Sequence, residues 1–159
     1  MNKVPELPAG VMIFIFFEDT IHLIHRDKKE EIMSPNTWCS VTGGVKKNET
    51  YSQAIARELK DETGLVLDNI ATIGESGFRN CFFFVRITRE EKEKVILGEG
   101  QDFKFLTIDE IPVEISGAFK KYYEKYPNVF KRMFSDESFI PSASDLGLDS
   151  GDISQPASL

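Results

Sequence analysis

Three carboxylates on one helical stripe constrain this chain more than any other feature. Residues 43–65 read GGVKKNETYSQAIARELKDETGL, and Glu58, Asp61 and Glu62 stand at i, i+3 and i+4 within them. On a helix those positions share one face, so the acidic side chains crowd and repel. A hard divalent cation turns that repulsion into binding, because magnesium takes oxygen ligands. Both ends of the helix are written in the sequence. Thr50 followed by Gln53 has the form of a capping box, and Gly64 supplies the left-handed residue that stops a helix. Ile55 and Leu59 fall on the opposite face and anchor it to a core.

Read as a pattern, this stretch resembles the Nudix box: G, five residues, E, seven residues, then R-E-U-x-E-E-x-G-U, with U a bulky apolar residue. Gly43, Glu49, Arg57, Glu58, Leu59, Glu62, Gly64 and Leu65 match, and Asp61 stands in place of one Glu. The pattern begins at the first glycine of the Gly43-Gly44 pair. The loop is thus one residue short of the usual form, and Thr42 occupies the place of a customary Pro.

The resemblance implies an α/β fold, the Nudix-type α/β/α sandwich with a mixed sheet between helices. It implies hydrolysis of a phosphoanhydride in a nucleoside diphosphate-linked substrate, with Mg2+ (or Mn2+) as cofactor. Glu58, Asp61 and Glu62 are then the metal ligands. The base is one of the catalytic candidates Glu58, Glu62 or Glu99, the last sitting in a loop where relatives carry an acidic residue. Arg26, at the end of a strand, resembles a phosphate anchor. Gly43, Gly44, Glu49, Arg57 and Gly64 support the box, with Arg57 paired to Glu49. Markers of the ADP-ribose, dinucleoside polyphosphate, coenzyme A and NADH subfamilies are missing, which leaves nucleoside triphosphates or related nucleotides. The alternative from another class is a non-hydrolytic Nudix domain that senses a nucleotide or a partner protein.

Composition is compatible with these implications. At 159 residues, with 41% hydrophobic and 28% charged residues, one domain with a real core is expected. The net charge of −7 argues against a nucleic-acid backbone or an anionic membrane as partner. Cys39 and Cys81 have no metal-ligand spacing and read as reduced cysteines of a cytoplasmic protein. No stretch approaches the roughly 20 apolar residues of a membrane span. A homodimer is compatible with all of this, but nothing in the sequence specifies one.

Along the chain, residues 1–10 read as an irregular lead-in. Strands are expected at Val11 to Phe17, Ile21 to His25, Trp38 to Val41, Asn69 to Ile73, Asn80 to Ile87 and Phe103 to Leu106. Gly74 to Gly77 reads as the connection between the fourth and fifth of these, and Arg89 to Lys94 as a solvated loop or turn. A short helical turn is expected at Asp109 to Ile111, a helix over Ser116 to Tyr126, and a final turn over Val129 to Phe134. His22 and His25 have no ligand partners at metal spacing and are read as structural, as is Trp38. The domain is drawn over 1–134. From Ser135 the chain becomes an acidic, Ser-rich tail, with five acidic residues and no Lys or Arg. Such a segment stays disordered or orders only against a partner, and Phe139, Ile140, Leu146 and Leu148 are its candidates for docking on the domain.

Overall fold

The computed structural model describes residues 9–77 and 79–150. Nearly all of the expected lead-in, and the tail beyond Ser150, lie outside the described residues. Among the described residues, seven strands form one sheet: β1 (Gly10–Phe17), β2 (Thr20–His25), β3 (Trp38–Cys39), β4 (Val41–Gly44), β5 (Ala71–Ser76), β6 (Asn80–Arg86) and β7 (Asp102–Leu106). Among the described residues, four α-helices accompany it: α1 (Tyr51–Thr63), α2 (Arg89–Glu93), α3 (Gly117–Lys125) and α4 (Pro127–Ser135).

The sheet is organised on β1, which runs parallel to β6 from Gly10 to Phe16, with Met12 opposite Phe82 and Ile13 opposite Phe83. Its other edge is shared. The first half pairs antiparallel with β4, and the last residues pair with β2. The path therefore forks, and β2 goes on to pair with β3 and β7. A mixed sheet results, as expected.

Alternation along β1 and β6 explains their continuous apolar runs. Met12, Phe14, Phe16, Phe82 and Phe84 pack beneath α3 and α4. Val11, Ile13, Ile15, Phe83 and Val85 pack against Ala54, Ile55 and Leu59 of α1. Both faces are covered, so neither needs polar residues. This is the three-layer α/β/α arrangement.

Several boundaries depart from the sequence reading, each for a local reason. The expected strand 38–41 is two strands broken at Ser40, where pairing passes from β2 to β1. Gly74 to Ser76 belong to β5, which starts at Ala71 and continues past an irregularity between Thr72 and Gly74. The charged run at 89–94 is helical because Thr88 and Glu91 form a capping box over its first turn. Pro127 does not merely follow a helix. It opens α4 from the first turn, where its missing N–H costs nothing, and the expected single turn is a nine-residue helix.

The described part of the acidic tail packs on the domain. Phe139, Leu146 and Leu148 are buried in the α3/α4 core, while Ile140 is exposed. Asp149 pairs with Glu75 at the edge of β5, exchanging both backbone hydrogen bonds. Arg86 fastens the start of the segment by donating to the carbonyls of Met133, Asp136 and Phe139.

His22 is buried against Phe103 and Phe105, and neither ring nitrogen has a hydrogen-bond partner among the described residues. Burial lowers its pKa from 6.5 to about 4. The unfolded chain therefore takes up the proton first as pH falls, so this contribution is fully present above 6.5 and is lost on descent toward 4. Between about pH 7 and pH 5 the wild type should lose about 2 kcal/mol through this group. Denaturant titrations of wild type and His22→Leu at both pH values should show that loss only in the wild type. Equal losses would exclude His22 as their source.

Candidate active site

The box helix and its loop are tied together by one guanidinium. Arg57 Nε donates to Glu49 Oε2 at 2.9 Å, and Nη2 donates to Glu49 Oε1 at 2.9 Å and to the Gly44 carbonyl at 2.8 Å. Nη1 donates to Glu58 Oε1 at 2.7 Å. Planar two-point pairing of this kind fixes direction as well as distance. The Arg57 guanidinium holds the Glu49 carboxyl down at about 2. Glu58 is pressed against Gly43, where a Cβ would meet the Glu58 carboxyl group and push it aside.

Helix α1 has the expected ends. Thr50 and Gln53 form a reciprocal capping box, and Gly64 caps the C-terminus at φ 77°. Ile55 and Leu59 are buried, which fixes the rotation of the acidic face.

Arg57→Lys should retain one charge contact but lose the fork. We expect a stability loss of about 1–2 kcal/mol and a turnover loss of about tenfold, since Glu58 is released from its direction. The pH dependence follows from Glu49. Its depressed pKa contributes stability above 4.5 that disappears as pH falls toward 2, so the gap between wild type and variant should narrow over that interval. Melting curves at neutral and acid pH test this, and a variant as stable as wild type at both would refute it.

Where the sheet forks, a cavity of about 160 Å³ opens, lined by Arg26, Cys39, Ser40, Thr42, Glu62 and Glu99 among others. Three of the residues singled out in the sequence, Arg26, Glu62 and Glu99, thus meet from the residue after β2, from α1 and from the loop before β7. That loop is held at both ends. Gly98 N–H donates to the Glu62 carbonyl at 3.0 Å, and Gln101 N–H donates to the His25 carbonyl at 2.8 Å. The Gln101 side chain donates to the Arg26 carbonyl at 2.7 Å. Gly98 and Gly100 both sit so close to neighbouring backbone that a Cβ would collide with it.

Glu58 and Asp61 do not line the cavity, but their charges reach it. Burial first, then Glu99, Glu58 and Asp61, push the Glu62 carboxyl up to about 7, against the pull of Arg26. Burial raises the Cys39 thiol as well, although Arg26 lies beside it. An all-oxygen donor set with this mutual repulsion has the chemistry of a hard divalent site. Among the described residues, no three acidic, His or Cys side chains gather around one point. Glu58 is turned to Arg57 instead.

A second cavity of about 410 Å³ lies across β4, with Met12, Phe82 and Tyr122 supplying apolar walls and Asn80 and Lys121 polar ones. Thr42 lines both cavities. Sequence reasoning missed Ser40, Thr42, Asn80 and Lys121 as lining residues. The available signal was two polar residues, Ser40 and Thr42, flanking buried Val41 just before the box.

The NUDIX domain model matches residues 6–130. The chain belongs to the Nudix family. An uncharacterised Nudix hydrolase of Listeria monocytogenes is 29% identical over 126 residues, covering 74% of this chain and 75% of the relative. The dihydroneopterin triphosphate diphosphatase of Escherichia coli is 34% identical over 61 residues, which span 38% of this chain and 39% of that enzyme. Among solved structures, a MutT NUDIX hydrolase from Burkholderia pseudomallei superposes with a TM-score of 0.60 at 17% identity, over 72% of this chain and 93% of that one. The chain thus carries a Nudix hydrolase domain, from a family that uses divalent metal ions on nucleoside diphosphate-linked substrates.

Proposed function

We propose that this Nudix hydrolase cleaves a phosphoanhydride of a nucleoside triphosphate or related nucleotide with Mg2+, for which Mn2+ can substitute. The observation that carries the reading is the cavity in which Glu62 and Glu99 of separate elements face Arg26. The triphosphate substrate named for the Escherichia coli relative supports the same class.

Arg26 supplies positive charge for the phosphates. Glu62, with a proton affinity near neutrality, suits the residue that takes a proton from water. Glu99 shares the cavity and is the other candidate base. Glu58, Asp61 and Glu62 are the residues that would hold the cation, which supplies Lewis acidity and lowers the pKa of bound water. Because Thr42 borders both cavities, a substrate passing over it could keep its phosphates by Glu62 and its ring system by Phe82 and Tyr122. Two reduced cysteines and a nucleotide substrate are consistent with work in the cytoplasm.

The test is a Mg2+-dependent panel covering the common and oxidised nucleoside triphosphates, dihydroneopterin triphosphate, ADP-ribose, dinucleoside polyphosphates and sugar nucleotides. Turnover of one triphosphate well above the rest supports the proposal. Silence across the panel, with Mg2+ still bound, would favour a nucleotide sensor instead.

A further inference from the structure

Ser40 stands at the fork of the sheet, between the strand that pairs with β2 and the strand that pairs with β1. It is 2% exposed, lines the acidic cavity, and its hydroxyl has no hydrogen-bond partner among the described residues. Serine hydroxyls that are buried normally find a partner, because leaving one unpaired forfeits its hydration without return. Packing does not call for serine here, since Ala would fill the same backbone position without that cost.

We infer that Ser40 is a substrate-positioning residue, whose hydroxyl donates a hydrogen bond to a phosphoryl oxygen of the bound nucleotide. The inference rests on the hydrolase reading above. Its chemistry follows from the other groups at the cavity. Glu62, Glu99 and Asp27 line the cavity with carboxyl oxygens, which are foremost hydrogen-bond acceptors. A phosphoryl oxygen must therefore turn to the donors, and among the described lining residues Arg26 is the one basic side chain. The hydroxyls of Ser40 and Thr42 add neutral donors, Ser40 buried in the wall and Thr42 exposed at its surface. A bond made equally in the ground state and the transition state acts on binding rather than on the chemical step.

The experiment compares wild type with Ser40→Ala in three measurements. They are melting temperature without ligand, affinity for inorganic tripolyphosphate with Mg2+, and steady-state kinetics on the triphosphate the panel selects. Ser40→Ala should melt at or above the wild-type temperature, because it removes an unpaired buried hydroxyl. Its tripolyphosphate Kd and its KM should rise about tenfold while kcat stays within about twofold. An active wild type whose Ser40→Ala variant keeps its Kd and KM overturns the assignment of Ser40 alone. A lower melting temperature with unchanged Kd does the same and makes the hydroxyl structural. A wild type that neither binds tripolyphosphate nor turns over any substrate overturns the hydrolase reading and this assignment together.

Discussion

Glu62→Gln should cut turnover by at least about 100-fold while leaving the metal-free fold no less stable than wild type. The two halves of this expectation share one cause. Glu62 lies half-buried at the cavity, and the charges of Glu99, Glu58 and Asp61 all oppose its ionisation. An amide in its place relieves that repulsion, so the empty protein loses nothing. The reaction loses a carboxylate that can accept a proton and share a cation, whereas the amide of Gln cannot take the proton and offers a cation only a neutral oxygen. Glu58 and Asp61 do not take over the place of Glu62, because neither lines the cavity and Glu58 already shares one oxygen with Arg57. The assay is single-substrate turnover with excess Mg2+, alongside a melting curve in chelator. Near-wild-type turnover would remove Glu62 from the chemistry. A large fall in melting temperature would instead make its role structural.

The order of strands and the box helix were legible in the sequence because they rest on local signals. Alternate burial on β1 and β6, the Thr50 capping box and the Gly64 stop are each decided within a few residues. The meeting of Arg26, Glu62 and Glu99 was legible only through family resemblance, since 73 residues of chain separate the first from the last. What the sequence could not give is the fork. Whether Ser40 continues one strand or divides two depends on where β1 and β2 diverge, which is a property of the sheet. Its burial and its unpaired hydroxyl follow from that divergence. The tail shows the opposite failure. Composition pointed to disorder or to conditional ordering, yet a few apolar residues at suitable places decide whether a polar segment packs.

Leu146 is fully buried in that segment, beneath residues from α3, α4 and β5, and it sets the scale for the segment's contribution. Leu146→Ala should cost about 3 kcal/mol, the middle of the range for emptying a closed leucine site. In a chain of this size that lowers the melting temperature by about 10 °C. Ending the chain after Ser135 should do at least as much. It removes Phe139, Leu146 and Leu148 from the core, unpairs the edge of β5 at Glu75, and strips Arg86 of two of its carbonyl partners. Arg86, half-buried over Phe16 and Phe84, then loses the chain it held in place. Ending the chain after Ser150 is the control, because it leaves every described contact of the segment in place. If residues 136–150 belong to the folded unit, the shorter chain melts early or aggregates while the control melts with wild type. Turnover per folded molecule should remain in both, since none of Arg26, Glu62 and Glu99 touches the segment. Equal melting of all three chains would mean that the segment is an appendage, and a partner-binding role for it would then become the better account of its acidic charge.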